Sequence, residues 1–162
     1  MMVYHGSNSE VRCPDVEHTQ RYLDFGPGFY VTIYEEQAIR WAVRKSLRHG
    51  GKPLLNVYEF NQEAAQTFRI KNFEGDDDAW LEYVCACRRG EELYKDYDIV
   101  IGNVANDDVF LTVDMYFRKL WDKEKTLSEL RYYRRNNQIT FLNQEAVDAL
   151  LQFKECIEVQ ND

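Results

Sequence analysis

The chain has 162 residues, 44% of them hydrophobic and 30% charged, with a formal net charge of −8. That length suits one domain spanning residues 1–162, and the apolar content excludes a disordered chain. The acidic balance repels polyanions, which argues against general nucleic-acid binding, and no stretch approaches the roughly 20 apolar residues of a membrane span.

The first residues, Met1-Met2-Val3-Tyr4-His5, lack the basic and then apolar pattern of a secretory signal, so the expected compartment is the cytoplasm. Val3 to His5 and Phe29 to Thr32 are short extended segments. Between them lies a polar stretch broken by Pro14, Gly26, Pro27 and Gly28, which predicts a loop. Thr32 and Glu35 fit a capping box at a helix start. Ala38, Trp41, Ala42 and Lys45, with Ile39, Val43 and Leu47 beside them, then predict a helix with a wide apolar stripe to about Arg48. Gly50, Gly51 and Pro53 end it.

Leu54 to Phe60 is apolar, aromatic and short, which predicts a strand. Gly75-Asp76-Asp77-Asp78 is an acidic helix start before Trp80, Tyr83, Val84 and Cys87, which share one helical face. The three aspartates lack the spaced ligands and terminal glutamate of a calcium loop. Tyr97 to Gly102 predicts a buried strand. Asn106 can cap a helix whose core face is Val109, Val113, Tyr116, Phe117 and Leu120. A short helix from about Ser128 to Tyr133, a strand from Gln138 to Leu142, and an Asn143-capped helix through Leu151 complete the order. Strands and helices mix without a repeated βα period, so the expected class is α+β with largely antiparallel strands.

Four cysteines, Cys13, Cys85, Cys87 and Cys156, are too scattered for a disulfide scaffold. Cys85 and Cys87 point to different sides of a helix and are expected to be buried thiols rather than metal ligands. Arg131, Arg134 and Arg135 with Tyr132 and Tyr133 form a basic aromatic cluster that suits either a phosphate contact or a solvated helix end. There is no Walker loop, no Rossmann glycine pattern, no zinc-ligand pairing and no Ser/His/Asp spacing.

Two segments offer chemistry. His5 precedes Gly6 and Ser7 where a strand opens, placing an imidazole, a close-approach backbone and a hydroxyl together; a structural histidine fits the same position. Gly26-Pro27-Gly28 before Phe29-Tyr30 is a tight turn feeding a strand, which also has a purely structural reading.

Taken with Val31-Thr32 and the late Gln138-Ile139-Thr140-Phe141 segment, these motifs resemble the three signature strands of the ADP-ribosyltransferase superfamily, in its His-Tyr-Glu branch. The likeness is closer still to a bacterial family of uncharacterised domains of that fold. It extends over Leu23 to Tyr30, Gln37-Ala38, Trp41-Ala42, Tyr97 to Gly102 and Ala105 to Asp108, and so spans Val3 to about Leu151. The resemblance implies two small, mostly antiparallel sheets with flanking helices, forming a cleft that His5 and Tyr30 face from neighbouring strands. NAD would be the substrate, with no metal. His5 would bond a ribose hydroxyl, the Gly6 backbone the carboxamide, and the Tyr30 ring would stack on the nicotinamide, with Ser7 and Gly28 beside them.

In the branch, a glutamate on the later strand bonds the ribose 2′-hydroxyl and stabilises positive charge; here that position is Gln138. An amide holds a hydroxyl but supplies no negative charge, so chain elongation is disfavoured. Mono-ADP-ribosylation of a macromolecular acceptor, NAD hydrolysis and inert NAD or protein binding all survive. A toxin-like effector with an antitoxin-like protein partner is a further implication of the resemblance. Glu145 either reaches the cleft or is simply an anion in a first helical turn.

Overall fold

A computed structural model describes residues 1–18, 24–75, 77–103, 107–130 and 136–160. The described residues form a mixed α+β structure with two open sheets and six helices. One sheet contains β1 (Met2–Ser7), β3 (Leu54–Phe60) and β7 (Leu151–Glu158) in the order β1-β3-β7, both pairings antiparallel. The other contains β2 (Phe29–Val31), β4 (Ile70–Asn72), β5 (Ile99–Gly102) and β6 (Gln138–Phe141) in the order β2-β6-β5-β4. Its pairings are antiparallel except β4 with β5, which is parallel.

Side-chain alternation builds three apolar clusters around these sheets. Val3, Tyr58 and Phe60 of the first sheet meet Phe29, Val31, Ile139 and Phe141 of the second, and this cluster fills the space between them. Leu55 and Val57 point the other way, onto Ala38 of α1 (Glu35–His49). On the far face of the second sheet, Phe25 and Val100 pack with residues of α3 (Asp78–Arg88), α4 (Asp107–Phe117) and α5 (Lys123–Leu130). Two short helices remain: α2 (Gln62–Ala65), and α6 (Gln144–Leu150), which sits between β6 and β7.

Several local expectations hold. Asp77 caps α3 by accepting from the Trp80 N–H at 3.0 Å, and Asn143 caps α6 by accepting from Ala146 at 2.7 Å. Trp80, Tyr83, Val84 and Cys87 are all buried. Other expectations change. Thr32 is held in extended backbone by pairing with Tyr4, two residues too early to cap α1; its Oγ1 accepts instead from the Tyr34 N–H at 3.1 Å, and Tyr34 supplies no side-chain cap. Leu47 is 70% exposed on the outer side of α1, and Leu120 is 65% exposed because α4 has ended at Phe117. The helix expected near Ser128 starts earlier, at Lys123, and the final helix stops at Leu150, where the chain turns back into β7. Cys85 and Cys87 are buried and Cys156 partly so, but Cys13 is exposed. The proposed Asn106 cap, Asp76 and the basic cluster at Arg131 to Arg135 lie outside the described residues. No described helix is long and apolar enough to cross a membrane.

Candidate functional site

Among the described residues, backbone pairing joins the two sheets at one bridge. Tyr4 and Thr32 exchange both backbone hydrogen bonds, at 2.8 and 2.9 Å, and beyond this bridge β1 and β2 part. Alternation turns the Tyr30 carbonyl to the same side as that of Thr32, toward β1, where no ladder partner remains. The His5 side chain takes over: its Nδ1 lies 2.7 Å from the Tyr30 oxygen. A carbonyl only accepts, so Nδ1 carries the proton. Burial pushes the His5 pKa down to about 4, against the opposing effect of the Tyr30 hydrogen bond and with help from the Lys45 charge. At neutral pH the ring is uncharged, and Nε2 is a lone-pair acceptor.

Around this gap lies a cleft of about 530 Å³, lined by His5, Gly28, Phe29, Tyr30, Lys45 and the loop from Ser9 to Asp15. Its volume falls within the usual range of small-molecule sites, about 300 to 1,000 Å³. The His5 ring lies against Phe29, centroids 4.5 Å apart, on the inter-sheet face. The loop is fixed from below: the Asn56 side chain accepts from the Val11 N–H at 2.8 Å and donates to the Ser9 carbonyl at 3.1 Å, while the Tyr58 hydroxyl donates to the Val11 carbonyl at 2.5 Å.

Tyr30 lines the same cleft, but its ring leaves β2 on the opposite face from Phe29 and packs against the cluster containing Phe25. The two residues line the cleft from strands of different sheets, and their side chains do not share a face, because His5 sits in phase with Phe29 and Tyr30 is one residue out of phase. The Tyr30 hydroxyl donates to the Gly26 carbonyl at 2.5 Å and accepts from the Phe25 N–H at 3.2 Å. Burial, with Asp24 nearby, holds its pKa well above the ordinary tyrosine value, so it remains a neutral donor.

These contacts explain the glycine turn. Gly26 has φ +98° with the Tyr94 ring directly against it, a backbone region that side chains disfavour. Just before it, Asp24 is tied to Arg88 of α3 by an ion pair at 2.9 Å, both side chains largely buried. Gly6 serves packing of another kind: a Cβ there would stand 1.9 Å from the Ala38 carbonyl oxygen and 2.6 Å from the Ala42 nitrogen, so α1 lies directly on its backbone.

The structure therefore brings His5, Gly28 and Tyr30 into one cleft wall. Gly6 is buried beneath α1, and the buried Ser7 communicates with the cleft through its hydroxyl, 3.3 Å from Lys45 Nζ and 3.4 Å from Ser9 Oγ. Gln138 is 3% exposed and is not a wall residue; its amide nitrogen has no hydrogen-bond partner among the described residues. Register with Thr140 and Tyr30 puts Gln138 on the Tyr30 face of the second sheet. Glu145 is an exposed anion in the first turn of α6. Among the described residues no three His, Cys, Asp or Glu side chains are grouped to hold a metal ion.

Some of the site carried no sequence signal. Spacing places Lys45 on the apolar stripe of α1, but it is exposed at the cleft. Gln37 is buried, donating to the Asn137 carbonyl at 2.7 Å and accepting from its N–H at 3.2 Å, which anchors the residue before Gln138. A larger groove of about 760 Å³ runs between β3 and α6, with Glu59, Glu63 and Asp148 on its walls. It contains none of the signature residues.

The fold and site define an α+β protein with two sheets splayed about a neutral histidine. The chain belongs to the family described as a protein of unknown function, DUF3990, whose pattern matches residues 1–153. Neither a curated protein nor a solved structure matches the chain.

Proposed function

We propose that the chain is an ADP-ribosyltransferase-like protein that binds NAD in the cleft between the sheets and transfers ADP-ribose to a macromolecular acceptor. The observation that carries this reading is the His5 imidazole at the strand gap, neutral, with Nδ1 committed to the Tyr30 carbonyl and Nε2 left as an acceptor at the cleft wall. A ribose hydroxyl donates to such a nitrogen, and a charged imidazolium could not accept it. For the Tyr30 ring to stack on the cationic nicotinamide, the ligand must reach the face of β2 opposite His5, where the Tyr30 hydroxyl is fixed to Gly26.

The bond from C1′ of the ribose to the nicotinamide nitrogen breaks, and its electron pair leaves with the nicotinamide, which becomes neutral. The sugar passes through an oxocarbenium-like state, a nucleophile of the acceptor bonds to C1′, and the proton of that nucleophile goes to solvent. Gln138 holds a ribose hydroxyl without adding negative charge, so turnover is slow and limited to single transfers or hydrolysis. Gln138 must come out of its buried position to do so, and this requirement favours a second reading: a catalytically inactive NAD or nucleotide-binding module. Calorimetry with NAD, followed by chromatography of released nicotinamide, separates the two. Binding with release supports the transferase, binding without release supports the module, and no binding refutes both.

A further inference from the structure

We infer that Lys45 is the anion-binding group of the cleft and that it selects dinucleotides by holding their pyrophosphate; the identity of the dinucleotide as NAD rests on the reading above. The ionic groups of the wall are Glu10, Arg12, Asp15 and Lys45. Arg12 is committed, its Nε and Nη2 donating to the two Glu10 oxygens at 3.0 and 3.1 Å while its guanidinium lies 5.3 Å from the Phe153 ring centroid. Among the described residues the hydrogen-bond partner of Lys45 is neutral, the Ser7 hydroxyl at 3.3 Å, and no carboxylate forms an ion pair with it.

Its charge acts on His5, which stays uncharged beside it. The cleft thus holds an ammonium that is in no ion pair among the described residues, next to a neutral acceptor, with the hydroxyls of Ser7 and Ser9 linked in a row from it. An ammonium is a compact point charge with three donors, suited to oxygens of a phosphate group, and a phosphate oxygen can replace the weak hydroxyl contact without breaking a salt bridge. His5 and Lys45 then divide the ligand, a sugar hydroxyl to the imidazole and the phosphates to the ammonium.

The probes are inorganic pyrophosphate, NAD and nicotinamide riboside, which lacks phosphate, titrated calorimetrically into wild type, Lys45→Gln and Lys45→Arg. Lys45 is exposed, so the variants should keep the wild-type thermal midpoint. Expected is pyrophosphate binding to wild type that weakens roughly tenfold or more in Lys45→Gln, the worth of one charge-assisted hydrogen bond, with partial rescue in Lys45→Arg. NAD should weaken in parallel, nicotinamide riboside should not, and added salt should weaken pyrophosphate binding to wild type more than to Lys45→Gln. Pyrophosphate that binds Lys45→Gln as tightly as wild type, or fails to bind wild type, overturns the inference. Lys45-dependent pyrophosphate binding without any NAD binding upholds the anion site and refutes only the NAD reading.

Discussion

Acidification should destabilise the chain through His5 in particular. Its pKa falls from 6.5 to about 4 on folding, because the folded environment removes water from the ring. The folded state therefore binds fewer protons than the unfolded state between those values. Stability tied to His5 is full above the unfolded pKa, declines as pH drops through that window, and levels off near the folded pKa. At about pH 5 the unfolded imidazole is almost fully charged and the folded one almost fully neutral, a difference of about 2 kcal/mol. That is a large share of a typical total of about 5 to 15 kcal/mol. Urea unfolding of wild type and His5→Gln, each at about pH 7.5 and about pH 5, isolates the effect, since the other titrating groups, including two further histidines, are common to both proteins. Wild type should lose about 2 kcal/mol more than the variant on acidification. Equal losses, or an NMR titration of His5 at its ordinary value, would refute the reasoning and with it the neutral acceptor at the cleft.

Gly6→Ala should lower the thermal midpoint sharply, by at least the roughly 1 to 3 kcal/mol of an overpacked core, because the new methyl meets α1 backbone that cannot step aside. Tyr30→Ala should weaken NAD binding by about 1 to 2 kcal/mol through loss of the ring, and Tyr30→Phe by less. The phenylalanine variant should instead lose about 1 to 3 kcal/mol of stability in urea, since the Gly26 carbonyl and Phe25 N–H lose their partner. Gln138→Glu should speed nicotinamide release and Gln138→Ala should slow it, measured on variants first shown to fold; an alanine variant as fast as wild type would remove Gln138 from the reaction.

Elements whose residues carry their own instructions were legible in the sequence. Leu54–Phe60 is a strand with the expected limits, Asn143 caps the helix it precedes, and the acidic start and buried face of α3 follow from composition and spacing alone. Each of these depends on neighbours within a few residues. β7 was not legible, because Leu151–Glu158 mixes charged and apolar residues on an edge strand, and its strand character comes from pairing with β3, nearly a hundred positions earlier. Thr32 failed as a cap for the same reason: a bond to Tyr4 outweighed a local preference.

The site divides along the same line. Tyr4-His5-Gly6-Ser7 and Gly26-Pro27-Gly28-Phe29-Tyr30 could be singled out as a pair by their likeness to signature strands, although each alone has a purely structural reading. The tertiary structure alone decided that His5 bonds the Tyr30 carbonyl, that the Tyr30 ring turns to the other face of its strand, that Gln138 is buried and that Lys45 stands at the cleft. The reason is physical: a residue's chemical type is a property of the chain, whereas its protonation, exposure and partners are set by whatever distant segments fold against it.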